Sequence, residues 1–148
     1  MKTLITGHRL HKLQNYDIKW IEDAIFSVFE DTFLSQTTYG LSGMASGVDL
    51  WFCGTMNAYK IPYLACVPFD GQEETMDVNS AFEREYFLKT ASKIEKCRNS
   101  IMVEKADAGL VVFDGNKGGT HNVFQQLIEK QKPFVWINPV AKKIWVCD

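Results

Sequence analysis

The stretch that decides the fold runs Thr38-Tyr39-Gly40-Leu41-Ser42-Gly43-Met44-Ala45-Ser46-Gly47-Val48-Asp49, followed by Leu50-Trp51-Phe52-Cys53. Its first four residues read as a short strand. Ser42-Gly43 breaks that strand, and a helix is expected from about Gly47 to Tyr59. A strand that ends in glycine and turns at once into a helix is the first half of a βαβ unit. The same order recurs outward in both directions. Lys2–Thr6 reads as a strand ending at Gly7, and a helix is expected over Tyr16–Leu34, with Ile18, Ile21, Ile25, Val28 and Phe29 on one stripe at helical spacing. Trp20 is expected to point away from that stripe.

Toward the C-terminus, Ile61–Val67 reads as a strand closed by Pro68, and Phe69–Val78 reads as a polar loop. Ser80 with Glu83 resembles a capping box, which predicts a helix over Ala81–Ser92. Arg98–Ala106 reads as a short helix and Ala108–Phe113 as a strand ended by Asp114-Gly115. Thr120–Lys130 reads as a helix, and Phe134–Ile137 and Ile144–Cys147 as two closing strands, the last a candidate edge strand. Alternation of this kind predicts one α/β domain over residues 1–148: a Rossmann-like three-layer sandwich with a mostly parallel sheet.

Composition agrees with a single globular unit and narrows the function. Of 148 residues, 46% are hydrophobic and 23% charged, which excludes a disordered, collagenous or coiled-coil chain. Sixteen Lys and Arg stand against 18 Asp and Glu, and no basic run exceeds Lys142-Lys143, so a track for many nucleic-acid phosphates is not evident. Small anions remain suitable ligands, because backbone N–H groups hold them without net positive charge. Cys53, Cys66, Cys97 and Cys147 form no C-x-x-C pair and read as reduced thiols of a cytoplasmic protein. No stretch approaches the roughly 20 apolar residues of a membrane span. Aromatic residues are 13% of the chain. Together with Trp20 on the polar side of its helix, they predict a homo-oligomer, a dimer first.

In parallel sheets ligands bind beyond the carboxyl ends of the strands. Here those ends carry Thr6-Gly7-His8-Arg9, the Ser42–Asp49 loop, Pro68-Phe69, and Asp114 followed by Gly118-Gly119-Thr120-His121-Asn122. Glycine lets backbone approach a phosphate, and a helix N-terminus offers unpaired N–H groups at a positive dipole end. Two such loops predict a cradle for a phosphorylated ligand, with Arg9 beside it as a charge-assisted donor. Neither loop is G-x-G-x-x-G or a Walker A sequence. Each candidate has a plainer reading: a tight turn for Gly43 and Gly47, a cap for Asp49, Thr120 and Asn99. His8 and His11 have H-x-x-H spacing but no partner ligands, so no metal is assigned.

Ser42-Gly43-x-Ala45-x-Gly47-x-Asp49 resembles the signature of the SLOG superfamily, a Rossmann-like group. Ile5-Thr6-Gly7-His8-Arg9, Arg98-Asn99-x-x-Met102-Val103-x-x-Ala106-Asp107 and Gly118-Gly119-Thr120-x-Asn122 add to the resemblance, which is nearest to the YpsA-like branch. DNA-processing proteins and cytokinin-activating phosphoribohydrolases are related to the same group. The resemblance implies binding of a nucleotide or nucleotide-derived molecule, to sense, sequester or regulate, at Thr6, Gly7, His8, Arg9, Ser42, Gly43, Met44, Ala45, Gly47, Asp49, Pro68, Phe69, Asn99, Asp114, Gly118, Gly119, Thr120, His121 and Asn122, with no separate cofactor. The hydrolases place a catalytic Glu where this chain has Asn122. An amide cannot act as a general base, so binding is expected rather than turnover. The rival readings are an N-glycosidic hydrolase using Glu73, Glu85 or Asp114, and a module contacting protein or single-stranded nucleic acid.

Overall fold

The computed structural model describes Met1–Asp148. Seven strands form one sheet: β1 (Lys2–Gly7), β2 (Tyr39–Ser42), β3 (Tyr63–Val67), β4 (Lys93–Lys96), β5 (Ala108–Val112), β6 (Phe134–Asn138) and β7 (Lys143–Cys147). Their spatial order is β4-β3-β2-β1-β5-β6-β7. Every pair is parallel except β6 with β7, which closes the edge as an antiparallel hairpin. The six helices are α1 (Leu10–Leu13), α2 (Ile18–Val28), α3 (Val48–Ala58), α4 (Val78–Thr90), α5 (Asn99–Lys105) and α6 (Gly119–Glu129). This is the mostly parallel α/β sandwich that the sequence predicts.

Two hydrophobic cores lie on the two faces of the sheet. On one, Ile21, Ile25 and Val28 of α2 and Phe52 and Met56 of α3 pack with Ile5, Tyr63 and Leu110. On the other, Met102 and Val103 of α5 and Val123 and Leu127 of α6 pack with Leu4, Leu64 and Val111. The chain builds β2, β3 and β4 successively to one side of β1 and then crosses to β5 on the other. The order therefore reverses between β1 and β5, the place where the layers part at the strand ends.

Four local differences from the sequence reading have physical causes. The first long helix begins at Ile18 rather than Tyr16, because the Asp17 side chain caps it by accepting from the Trp20 N–H at 3.1 Å. Its last turn, Phe29–Phe33, widens to a π-helix. The wider turn brings Phe29 and Phe33 into a stack at 6.4 Å and sets Phe29 edge-on to Phe52. Trp20 does not project freely: it packs half-buried against the core. The helix expected from a Ser80 cap begins earlier, at Val78, where Asp77 accepts from the Ser80 N–H at 2.7 Å.

The strand β4 has no counterpart in the sequence reading. Its Lys-Ile-Glu-Lys sequence lacks a buried apolar row and pairs with β3 along one side only. Lysines on such an edge discourage pairing with other chains. At the other edge Trp136 and Trp145 face each other across β6 and β7, ring centroids 4.6 Å apart.

Candidate functional site

A crevice of about 280 Å³ opens beyond the carboxyl ends of the parallel strands. Thr6, Gly7, His8 and Arg9 reach it from the end of β1, and Gly43, Ala45 and Asp49 from the β2–α3 loop. Pro68 and Phe69 come from the end of β3, Asn99 from the start of α5, and Gly119 and Thr120 from the first turn of α6. Twelve of the expected site residues thus share one cavity, with Gly7, Gly43 and Gly119 all in its wall.

Seven do not line it, and each has another duty. The Ser42 hydroxyl is buried and donates to the Asp49 carbonyl at 2.9 Å. Met44 holds a left-handed φ of 62° and lies fully buried, its sulfur 3.7 Å from the Cys53 thiol. Gly47 has φ 85°, and a Cβ there would come within 3.0 Å of the Leu10 backbone nitrogen. Its close approach is therefore to the β1–α1 loop and not to a ligand. The Ser46 hydroxyl accepts from the Leu10 N–H at 3.3 Å and seals the same contact. Gly118 lies just outside the wall, 3.6 Å by its virtual Cβ from the Lys12 ammonium. His121 stacks on Phe113, and Asn122 accepts from Gln126 on the solvent side of α6.

Asp114, the seventh, acts as a hub behind the wall. Its carboxylate accepts from the Tyr16 hydroxyl and from the Asn116 N–H, both at 2.8 Å. Its Oδ1 also lies 3.0 Å from His8 Nε2, which in turn can accept from the Asp114 N–H. Burial lowers the His8 pKa from 6.5, against the upward pull of Asp114, so the ring is neutral at pH 7.

The two glycine-rich loops are not equivalent. Asp49 sits in the first turn of α3, and its Oδ2 accepts from the Ala45 N–H at 3.2 Å. Its Oδ1 is buried and has no partner. The residue is 8% exposed, and burial pushes its carboxyl up to about 7. A carboxyl group thus already occupies the positive end of α3, where it competes with an anion for the same N–H groups.

The α6 end is the opposite case. No atom lies within 4 Å of a Cβ built on Gly119, so its backbone faces open space. Thr120 is buried beside it. Lys12, exposed on α1, also lines the crevice and makes no ion pair. A free ammonium and a helix N-terminus therefore stand side by side, two positive features that an anion would join.

Sequence reasoning missed Lys12, Cys66, Gln72, Thr75, Met76, Cys97 and Met102 in this wall. Gln72 is the most informative. Its Nε2 donates to the Gly43 carbonyl at 2.9 Å while its Oε1 accepts from buried Arg84 Nε at 3.1 Å. A single 3-10 turn, Gln72–Thr75, inside the expected loop carries it there. Nothing in the sequence signals that reach, whereas Lys12 stands only three residues beyond Arg9 at the end of the first strand.

The chain matches no family model and no curated protein. TM1055, an X-ray structure from the Northeast Structural Genomics Consortium, shares its fold. The two superpose with a TM-score of 0.54 over 90% of this chain and 71% of TM1055, at 12% sequence identity. At that identity the likeness concerns the path of the chain alone.

Proposed function

We infer that this protein binds a nucleotide or nucleotide-derived molecule in the crevice at the carboxyl edge of its sheet. The observation that carries the reading is the pairing of opposite demands in one cavity: an unpartnered, buried Asp49 oxygen and an unpaired Lys12 ammonium at the open N-terminus of α6. Asp49 follows β2 and the N-terminus of α6 follows β5, and these two strands flank β1, so Asp49 and that helix end stand about two strand spacings apart, roughly 10 Å. A nucleoside monophosphate carries suitable groups in this order, phosphate toward α6 and a ribose hydroxyl or base amino group toward Asp49. The SLOG-like motifs support the same ligand class, since Gly43, Ala45, Asp49, Gly119 and Thr120 of those motifs converge in the wall. Asn122 stands outside the crevice as an amide, in keeping with binding rather than N-glycosidic cleavage.

The test is isothermal titration of the purified chain with AMP, GMP, CMP and UMP, and with adenosine as the phosphate-free control. At least one monophosphate binds, and adenosine binds at least tenfold more weakly. Gly119→Asp and Lys12→Ala each lower monophosphate affinity tenfold or more, about 1.4 kcal/mol, without changing the melting temperature. Equal affinity of wild type and Gly119→Asp would place the phosphate elsewhere. Release of free base during the titration would instead favour the hydrolase reading.

A further inference from the structure

Asp49 is the only acidic residue in the wall of the ligand crevice. Its Oδ2 accepts from the Ala45 N–H, and the lack of a side chain at Gly43 leaves room for it, since a Cβ there would stand 3.0 Å from that oxygen. Its Oδ1 is buried and unpartnered. The neighbouring donors are already engaged. The Ser42 hydroxyl donates to the Asp49 carbonyl at 2.9 Å, and the Gln72 amide donates to the Gly43 carbonyl at 2.9 Å. The Leu10 N–H donates to the Ser46 hydroxyl at 3.3 Å. None of these turns to Oδ1 without giving up a bond that it makes.

No charge makes up for the missing donor. Neutral His8 and exposed Arg9 come from the end of β1 and exposed Lys12 from α1, and neither cation pairs with Asp49. One turn further along α3, burial pushes the Cys53 thiol up to about 12, so it carries no charge. Cys66 and Cys97, from β3 and the end of β4, meet the crevice as free thiols. The turn between β3 and α4 carries Glu73 and Glu74, both exposed, and Glu73 lies 3.6 Å from Arg84 of α4. The α6 end adds uncharged Gly119 and Thr120. A carboxylate without a partner is costly to bury, and burial accordingly pushes the Asp49 carboxyl up to about 7.

We propose that the occupant of the crevice supplies the hydrogen bond that Asp49 Oδ1 lacks, and that the carboxyl releases its proton to solvent as the bond forms, so that ligand binding is proton-linked. This rests on the crevice being a nucleotide site and adds how that site is regulated. Ribose hydroxyls and base amino groups are donors of the required kind. An N–H or O–H aimed at Oδ1 favours the charged form, so the filled site holds a carboxylate where the empty one holds an acid. The carboxyl O–H is the one covalent bond that breaks, and its proton passes to water. Affinity therefore rises with pH between the midpoints of the filled and the empty site, and acidification releases the ligand. A phosphate monoester itself takes up a second proton near pH 6, so the contribution of Asp49 is read at its own carboxyl.

Carbon-13 NMR of the full chain labelled at the aspartate carboxyl carbons tests this, with the Asp49 signal identified by its loss in Asp49→Asn. In the free protein that signal titrates near pH 7. Saturation with the tightest binder among AMP, GMP, CMP and UMP lowers the midpoint by about one unit or more. Inorganic phosphate, which reaches the α6 end alone, does not lower it. A midpoint that stays within about 0.3 unit on nucleotide binding, or rises, overturns the proposal and leaves the nucleotide reading standing. So does an equal fall with inorganic phosphate, or a free-protein midpoint below about 5. Failure of all four monophosphates to bind removes the nucleotide reading itself, and the proposal falls with it.

Discussion

Replacing Asp49 by Asn is expected to stabilise the free protein, and to do so only where the carboxyl would otherwise ionise. Burial raises the Asp49 pKa from 3.8 to about 7. The folded chain therefore binds more protons at this residue than the unfolded chain between those values, and stability falls as pH rises through that window. The full shift corresponds to about 4 kcal/mol, reached near pH 8, of which less than half has accrued by pH 5. In Asp49→Asn the amide oxygen keeps the Ala45 N–H, and the amide nitrogen takes the place of the unpartnered Oδ1. An unsatisfied buried donor costs about 1–3 kcal/mol at every pH. The variant is thus expected to be about 1–3 kcal/mol more stable than wild type at pH 8 and close to it, or slightly less stable, at pH 5. Urea unfolding followed by tryptophan fluorescence at both pH values measures this. The difference between the two stability changes, about 2–3 kcal/mol, cancels the amide cost and every other titrating group the two chains share. Stability changes that agree within about 0.5 kcal/mol at pH 5 and pH 8 would refute the assignment of a strained, ionisable Asp49. If Asp49 receives a donor from the ligand, the same substitution weakens nucleoside monophosphate binding while it stabilises the fold, the opposition expected at a functional residue.

Gly7→Ala sets a Cβ 2.6 Å from the Val48 side chain, and is expected to lose about 1–3 kcal/mol in urea unfolding. Gly119→Ala meets nothing within 4 Å, and should stay within about 0.5 kcal/mol of wild type. His8 has a folded pKa below 6.5, so its protonation favours the unfolded chain and stability falls as pH drops below 6.5. In the Asp49→Asn background, where the opposing Asp49 effect is removed, that fall should be plain in melting temperature between pH 7 and pH 5 and flattened by adding His8→Gln. Arg84→Ala strips Gln72 of its buried donor, and is expected to cost about 2–3 kcal/mol and to speed hydrogen exchange in residues 71–76.

The local sequence carried the fold because βαβ units announce themselves over short spans. Leu41-Ser42-Gly43 and Phe113-Asp114-Gly115 end buried strands, and the helices that follow repeat their apolar residues at three and four. The ring of strand ends that forms the crevice was legible on the same ground: in a parallel sheet every glycine-rich β–α turn lies on one edge. What stayed hidden depends on partners distant in the chain. β4 exists only because β3 offers it an edge, and Lys93–Lys96 has no inward apolar row to show it. Trp20 has the spacing of a surface residue, yet it lies against the core. Gly43 and Gly47 look alike on paper, but the Leu10 backbone fills the space over Gly47, whereas the Asp49 carboxyl stands over Gly43, which lines the crevice. The orphaned oxygen of Asp49 arises from burial by residues far from it in sequence, and no spacing rule reports burial. The outward row on α4 is the clearest instance. Val78, Phe82 and Tyr86 at four-residue intervals mark one face of a helix, but only the packing of Ser80 and Arg84 against the rest of the chain decides that this face points to solvent.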